Sequence, residues 1–230
     1  MTEFFSSSSF LALLVTIGSF VAVNSLKKKV KFALFNPILI SSAVSILFLV
    51  LTKTDYQEYR VKTEFLSRLL TPATVCLAIP LYEQFEVLKK KSGAIFAGIL
   101  SGVLSSFICM AVLALLFKLD HSMYVTILPK SVTSAIGMEL SALNGGNPSI
   151  TTVLIILSGI TGNITAVPLL KLLRVTDPVA KGVATGTSSH AIGTAKAMEM
   201  GETEGAVSSL SIVIAGIMTV IEMLFVSRIF

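Results

Sequence analysis

Several apolar runs long enough to cross a lipid bilayer dominate the sequence, and the clearest cover residues 93–118, 150–175 and 206–226. A transmembrane helix needs about 20 predominantly apolar residues. Only 13% of the 230 residues are charged, whereas a typical soluble domain has about 25%. We therefore predict an all-α integral membrane protein with about 7–8 membrane segments. Residues 1–230 are expected to form a single transmembrane domain.

The charges and cysteines narrow the classes of function. The net charge is +5, and in a membrane protein such an excess indicates basic loops that face the cytoplasm. The sequence has no tryptophan and no basic stretch interleaved with aromatic residues, so we expect no nucleic-acid partner. Cys76 and Cys109 lie inside apolar runs and are expected to be free, buried thiols. Two cysteines make no metal site, and we expect neither a metal nor a cofactor.

A polar segment interrupts the apolar pattern near the C-terminus, where residues 183–205 read VATGTSSHAIGTAKAMEMGETEG. Gly186 and Gly193 predict a helix that is interrupted at membrane depth, which is tolerable only if the segment is buried or lines a wet cavity. His190 and Lys196 are ionisable, and such groups inside a membrane indicate a path for a solute or an ion. The alternative is a packing interface, because Gly, Ala, Ser and Thr let transmembrane helices approach closely.

Two earlier segments show similar interruptions. Residues 69–88 contain Pro72 and Pro80. An internal proline removes a backbone hydrogen bond, so we predict a kink or break at Pro80. Residues 129–148 contain Lys130 and Glu139 and are too short and too polar for a plain spanning helix. We predict that this segment is re-entrant or interrupted.

A weak internal repeat relates two of the interrupted segments. An offset of 113 positions lays Pro80 on Gly193. We predict a first repeat over residues 36–118 and a second over residues 129–230. Positive-inside counting favours an inverted orientation of the two copies, but they would be parallel if residues 129–148 crossed the membrane. Interruptions at corresponding places in two halves are the best sequence indication of a secondary transporter's binding site.

A family resemblance is carried by three stretches, which read LLTPATVCLAIPLYEQ, LPKSVTSAIGMELSALNGGNPSIT and DPVAKGVATGTSSHAIGTAKAMEMGETEGAVSSL. From about Asn36 to the C-terminus the chain resembles the LrgB/CidB family of bacterial membrane proteins. It departs from that pattern at residues 134–137 and 162–165. The resemblance implies a multi-pass protein of the bacterial cell membrane, that is, the inner or plasma membrane.

The resemblance implies two different functions. The first is an antiholin-like or holin-like role, in which the protein and a small LrgA/CidA-like membrane partner regulate murein hydrolase export and autolysis. The second is transport of small monocarboxylates such as pyruvate, lactate or glycolate, as in the related plastid glycolate and glycerate transporters. A large pore in the membrane can be formed by simple apolar or amphipathic helices, whereas this sequence has paired interrupted helices with internal polar groups. We therefore favour an ion- or proton-coupled transporter that works with the small partner.

A carboxylate in a dry site needs hydrogen-bond donors and positive partial charge, which the N-termini of broken helices supply. In this interpretation residues 187–190 donate hydrogen bonds, residues 71–74 form a matching terminus, and Lys130 adds a cation. His190 and Glu139 are expected to carry a coupled proton. The alternative for Lys130 and Lys196 is that they extend to the membrane interface. The predicted substrate-binding residues are Thr71, Pro72, Thr74, Pro80, Lys130, Ser131, Thr187, Ser188, Ser189, His190, Gly193 and Lys196, and the predicted coupling residues are Glu139 and Asn163.

We expect no enzymatic activity. Ser188, Ser189 and His190 are adjacent in the sequence, but neighbours in sequence on a helix do not face each other as a nucleophile and its base must. No metal-ligand spacing and no nucleotide-binding loop is recognisable. Symmetric dimers are a common form of assembly, so we expect a homodimer or a higher homo-oligomer.

Overall fold

A computed structural model describes residues 9–27, 36–76 and 78–227. The chain divides into two compact units, Met1–Cys76 and Leu77–Phe230, and each is described by itself. All regular secondary structure in the described residues is helical, which confirms the predicted all-α class. Four of the described helices are long and apolar enough to cross a membrane, and two shorter apolar helices, Pro37–Thr52 and Ser134–Leu143, accompany them.

The first unit contains two apolar helices followed by short polar ones: α1 (Ser9–Lys27), α2 (Pro37–Thr52), α3 (Tyr56–Lys62), α4 (Glu64–Arg68) and α5 (Leu70–Cys76). Asn36 caps α2, because its side-chain oxygen accepts hydrogen bonds from the backbone N–H groups of Ile38 and Leu39. Pro37 then occupies the first turn of α2, where its missing N–H costs nothing. The hydroxyls of Thr16 and Tyr59 share a hydrogen bond that joins α1 to α3.

The second unit holds the remaining helices: α6 (Ala78–Glu83), α7 (Phe85–Lys90), α8 (Ser92–Phe117), α9 (His121–Ile127), α10 (Ser134–Leu143), α11 (Pro148–Leu172), α12 (Pro178–Met200) and α13 (Glu202–Val226). Its core is built mainly on α8, whose buried face includes Ile95, Ile99 and Phe107. These side chains belong to one cluster with the fully buried Tyr124 and Val125 of α9. The cluster extends to α13 through Val207 and Met223.

The predicted kink or break at Pro80 stays a prediction, because Leu77, three residues before it, lies outside the described residues. Pro80 is the third residue of α6, and the interruption that the structure describes is at Gln84, between α6 and α7. Gln84 Oε1 accepts a hydrogen bond from the hydroxyl of Thr203, 3.2 Å away, at the start of α13.

Helices α9 and α10 form a hairpin over residues 121–143, here called hairpin 1. His121 Nε2 lies 3.2 Å from the carbonyl oxygen of Asn144, so the hairpin begins and ends at the same place. Near this base the hydroxyl of Thr151 donates to the carbonyl of Thr126 at 2.9 Å. The tip is the turn formed by residues 128–133. The segment is therefore interrupted and turns back on itself, as a re-entrant or interrupted segment is expected to do.

Helix α12 is interrupted at His190, where the backbone angles are φ 42° and ψ −138°. Its two arms form a second hairpin, here called hairpin 2. The carbonyl oxygen of Ser208 would touch a Cβ added at Gly186, and the hydroxyl of Ser208 bonds that of Thr194 at 2.7 Å. In a straight helix Gly186 and Thr194 would be about 12 Å apart along the axis. Both can contact Ser208 only because residues 191–200 run back beside residues 178–189. The predicted interruption is confirmed, but it falls at His190 and not at Gly186 or Gly193.

The two hairpins enter the unit from opposite ends. Lys91 Nζ lies 2.8 Å from Asp177 Oδ2, and Lys181 Nζ lies 3.6 Å from Glu204 Oε1. Because α8, α12 and α13 start beside these residues, all three start at one end, here called the lysine end. Helix α8 finishes, hairpin 1 begins and α11 starts at the other end, here called the asparagine end after the turn at residues 144–147.

This arrangement corrects the predicted orientation of the repeat with the 113-residue offset. That offset lays α8 on the region of α13, and both helices start at the lysine end, so they run parallel. The physical reason is that hairpin 2 does not cross the unit but returns to the end from which it came. The inverted relation lies instead between α8 and α11, each of which is followed by a hairpin.

Candidate functional site

The tips of the two hairpins meet at Ile155 in the middle of α11. On one side Ile155 Cδ1 packs so closely on Gly137 of hairpin 1 that a Cβ there would collide with it. On the other side its carbonyl oxygen lies 3.0 Å from His190 Nε2. Since a carbonyl can only accept, His190 carries its proton on Nε2 and donates. Ile155 therefore joins the ends of both hairpins within the interior.

A groove with many hydroxyl groups opens beside this junction, with a volume of about 690 Å³. We call it the hydroxyl groove. Four elements supply its walls: α8, the tip of hairpin 1, α11 and the first arm of hairpin 2. Its polar lining residues are Ser105, Ser106, Cys109, Lys130, Ser131, Ser158, Thr161, Thr165, Thr187, Ser188 and Ser189.

Lys130 is the cation of the hydroxyl groove. Its Nζ donates to Ser131 Oγ at 3.0 Å and to Ser106 Oγ at 3.1 Å. No carboxylate in the described parts of the chain forms an ion pair with it. The side chain is only partly buried and lies between hairpin 1 and α8. The tip of hairpin 1 therefore presents a positive charge whose protein partners are all neutral.

The first arm of hairpin 2 lines the same groove with three consecutive hydroxyl residues. Ser188 Oγ donates to the carbonyl of Ala184 at 2.7 Å and lies 2.9 Å from Ser189 Oγ. Thr187 differs, because its residue is only 7% exposed and its hydroxyl has no hydrogen-bond partner in the described structure. A buried hydroxyl without a partner costs free energy. Thr187 therefore contributes a buried, unsatisfied hydroxyl to the wall of the groove.

Glycines allow the helices around the groove to approach closely. A Cβ at Gly102 of α8 would lie 2.8 Å from Thr187 Cγ2. A Cβ at Gly162 of α11 would overlap Ser189 Oγ and lie 2.5 Å from Ser189 Cβ. No side chain fits at Gly162 unless hairpin 2 moves. These contacts determine where Thr187 and Ser189 lie relative to α8 and α11.

His190 and Gly193 lie behind the groove and are not among its lining residues. The His190 side chain is buried, and its ring contacts Gly159, where a Cβ would lie 2.7 Å from Cε1. A Cβ at Gly193 would lie 2.6 Å from the carbonyl oxygen of Thr185, so this glycine lets the two arms of hairpin 2 approach. Both residues shape the tip that presents the hydroxyls.

Three further residues predicted for the site also lie away from the groove. Lys196 is on the second arm of hairpin 2 and pairs with Glu199 at 2.6 Å. Glu139 is exposed on α10. The side-chain amide of Asn163 donates to the carbonyl of Ile192 at 2.9 Å, which satisfies backbone next to the break in hairpin 2.

Of the predicted residues in the third apolar run, Thr71, Pro72 and Thr74 belong to α5 in the first unit, and Pro80 belongs to α6. Pro72 is exposed, whereas the side chains of Thr71, Thr74 and Pro80 lie outside the described residues. Their part in a site stays a prediction. The cysteines are free as predicted, but both are exposed instead of buried, and Cys109 lines the hydroxyl groove.

A second groove adjoins the first and leads to the lysine end. It has a volume of about 790 Å³ and is bordered there by Lys90, Lys91 and Asp177. The two grooves share lining residues, namely Gly98, Gly102, Val183 and Ala184. Together they form one path between α8 and hairpin 2, from the lysine end to Lys130.

The hydroxyls of α8 and α11 were not predicted, although a second repeat in the sequence contains a signal for them. An offset of 57 positions superposes Ile-Leu-Ser-Gly at 99–102 on the same tetrad at 156–159, and Asp120 on Asp177. Both aspartates cap a hairpin helix. An offset of 56 then superposes Ala-Ile-Gly at 135–137 on 191–193. In each copy this glycine approaches a carbonyl of its own hairpin, that of Pro129 or Thr185.

Comparison with known proteins identifies a matching family and a similar protein. The model of a family described as LrgB-like matches residues 16–229. A protein of Bacillus subtilis (strain 168), named Uncharacterized protein YxaC, is 32% identical over 208 residues, which cover 90% of each chain. No solved structure matches the chain.

Proposed function

The chain belongs to the LrgB-like family of membrane proteins, and from this premise we propose that it transports small monocarboxylates of the pyruvate, lactate and glycolate class. The observation that carries the proposal is the state of Lys130. A partly buried lysine whose hydrogen bonds, within the described residues, go to two serine hydroxyls leaves a positive charge without its counter-ion. A bound carboxylate would supply that charge and form charge-assisted hydrogen bonds.

The hydroxyls opposite Lys130 fit the remainder of such a substrate. A hydroxy acid or keto acid has a carbonyl or hydroxyl oxygen next to its carboxylate. Thr187 has a buried hydroxyl without a partner, and Ser188 lines the same groove. On this proposal Lys130 and Ser131 hold the carboxylate, while Thr187 and Ser188 bind the second oxygen function. Only binding is required of these residues, and no covalent chemistry.

The two opposed hairpins support transport over a static pore. Inverted repeats with interrupted helices are a common architecture of secondary transporters, which expose one central site to each side in turn. The path from the hydroxyl groove reaches the lysine end, where Lys89, Lys90, Lys91, Lys171, Arg174 and Lys181 are collected. Positive-inside counting assigns that end to the cytoplasm. We propose that the structure represents the state that is open to the cytoplasm.

The base of hairpin 1 closes the asparagine end in this state. The Thr151 hydroxyl lies within hydrogen-bond distance of Thr126 O at 2.9 Å and of Ser141 Oγ at 2.8 Å. All three residues are at most 1% exposed. We propose that opening toward the other side separates this cluster and that a proton or ion couples the cycle. A homo-oligomer and a small LrgA/CidA-like partner remain part of the proposal.

The decisive experiment is uptake of a labelled monocarboxylate by the purified full-length protein in liposomes. We expect Lys130→Gln to lower uptake at least about 100-fold, since it removes a charge-assisted contact and the one positive charge among the described lining residues of the groove. Lys118→Gln is the matched control, because Lys118 is an exposed lysine at the asparagine end and should leave uptake unchanged. Leakage of dye-sized molecules without carboxylate selectivity would instead support the antiholin-like or holin-like pore.

Binding can be measured independently of transport through Cys109. The sequence has two cysteines, so Cys76→Ser leaves Cys109 as a single reporter in the groove. Pyruvate or lactate should slow alkylation of Cys109, and Lys130→Gln should abolish this protection. If the carboxylate protects Cys109 equally well in Lys130→Gln, the assignment of the substrate to this groove is wrong.

A further inference from the structure

A third cavity at the lysine end does not belong to the hydroxyl groove. It has a volume of about 660 Å³ and lies between the end of α11 and hairpin 2. Three cationic residues line it: Lys171 and Arg174 from α11 and the turn after it, and Lys181 from the first arm of hairpin 2. We call it the basic pocket.

The positive charge of the basic pocket is only partly compensated. Lys181 Nζ lies 3.6 Å from Glu204 Oε1, a long and partly exposed pair. Lys171 and Arg174 are exposed, and within the described ranges neither forms an ion pair with a carboxylate. Basic residues at a helix end also offset the helix dipole, but that effect does not require cations from two elements to share one cavity.

The remaining wall of the basic pocket is apolar. Val167, Leu170 and Val175 line it, and exposed leucines follow on the surface of α11, since Leu172 and Leu173 are 77% and 64% exposed. A cationic cavity beside exposed leucines, at the last turn of a spanning helix, lies where lipid headgroups meet acyl chains. Basic pockets between helices on the cytoplasmic side bind anionic headgroups.

We propose that the basic pocket binds the phosphate of an anionic phospholipid. The guanidinium of Arg174 can bind two phosphate oxygens at once, Lys171 and Lys181 supply further charge, and the acyl chains lie along the leucines of α11. Because the pocket contacts both α11 and hairpin 2, a bound lipid would tie the second hairpin to its neighbour at the lysine end. This proposal does not depend on carboxylate transport.

The test uses the full-length protein in a neutral detergent and measures its thermal unfolding and its bound lipids by native mass spectrometry. Phosphatidylglycerol should raise the unfolding temperature and remain bound, whereas phosphatidylcholine and inorganic phosphate should not. The double variant Lys171→Gln with Arg174→Gln should weaken phosphatidylglycerol binding at least about tenfold. Lys118→Gln, which removes an exposed lysine at the other end, should bind it like the unaltered protein.

Three outcomes would overturn the proposal. Equal binding of phosphatidylglycerol to the double variant would show that the lipid binds elsewhere. Equal stabilisation by inorganic phosphate alone would show a site for a free anion. Equal retention of phosphatidylcholine would show that charge is not recognised. If the double variant does not fold, Arg174→Gln alone gives the same comparison by native mass spectrometry.

Discussion

Hairpins 1 and 2 are copies of one motif, yet they are held in different ways. Hairpin 1 turns over residues 128–133 and has a dry base, where the buried hydroxyl of Thr151 bonds the Ser141 hydroxyl and the carbonyl of Thr126. Hairpin 2 turns at the single residue His190, whose buried ring braces the tip. Its base is held by the partly exposed ion pairs of Lys91 and Lys181.

This difference indicates which end of the unit opens more readily. Separating the base of hairpin 1 breaks hydrogen bonds between groups that solvent does not reach, and each such bond contributes about 0.5–1.5 kcal/mol. Separating the base of hairpin 2 breaks ion pairs that already contact solvent, and such pairs contribute little. The groove that runs from Lys130 to the lysine end agrees with this comparison.

The packing of hairpin 2 on α11 should be the least tolerant feature. Gly162→Ala places a Cβ 2.5 Å from Ser189 Cβ, which cannot rotate away, so we expect destabilisation at the upper end of the roughly 1–3 kcal/mol typical of overpacking. Ser189→Gly in the same chain should restore stability. Gly93→Ala is the control, because a Cβ there meets nothing within 4 Å. Thermal unfolding in detergent measures all three, and equal stability of Gly162→Ala and Gly93→Ala would contradict the close packing.

The dry base of hairpin 1 is tested by Thr151→Val. The substitution removes the hydroxyl that bonds Thr126 and Ser141 and leaves buried acceptors unpaired, which should cost about 1–3 kcal/mol. Thr152→Val is the matched control, because its hydroxyl bonds only the carbonyl of Pro148 one turn earlier, and it should change stability by less than about 0.5 kcal/mol. Denaturant unfolding distinguishes the two. Equal effects would mean that the base of hairpin 1 is not sealed by this cluster.

The one-residue turn of hairpin 2 predicts which of two substitutions at His190 gives the more stable protein. His190 has φ 42°, a region that glycine adopts more easily than other residues. His190→Ala and His190→Gly both lose the bond to Ile155, but only alanine keeps the strain. The glycine variant should therefore be more stable than the alanine variant by about 1 kcal/mol. The opposite order in thermal unfolding would contradict a strained turn at His190.

The smallest effect is expected at the wet base of hairpin 2. The hydrogen bond from Lys91, together with one from the backbone N–H of Ala180, lowers the pKa of the exposed Asp177 carboxyl. A lowered pKa in the folded state contributes stability above the ordinary pKa of aspartate, and this is lost as the pH falls through the folded-state value. Lys91→Gln should reduce that loss on acidification, and high salt should imitate the variant. An unaltered pH profile of stability would show that the pair contributes nothing.

The fold class follows from the sequence because run length and low charge leave few alternatives. The interruption within residues 183–205 could also be predicted, but its residue could not. Glycine is the usual choice for unusual backbone, whereas here Gly193 serves the packing of two arms and His190 adopts the turn because its ring bonds Ile155. That bond is a tertiary contact that no local pattern reveals.

The site was predicted in part for a similar reason. Lys130, Ser131 and residues 187–189 stand out because they are polar within apolar surroundings, and the structure brings them into one groove. Ser106 and Ser158 do not stand out, because a serine in a spanning helix has the same pattern when it only packs against a neighbour. The 113-residue offset aligned the interruptions of two segments. The two hairpins and the helices before them are instead related by offsets of 57 and then 56 positions. A search with one fixed offset does not detect both parts of this repeat.

The uncompensated lysine has a consequence for the energetics of a transport cycle. The empty groove holds one positive charge, and the groove with a bound monoanion is neutral. Moving one charge through the full membrane potential involves about 2.3 kcal/mol per 100 mV. On the proposed function, a potential that is negative inside therefore draws the unloaded protein toward the cytoplasm-facing form, whereas it does not act on the groove neutralised by a monoanion alone.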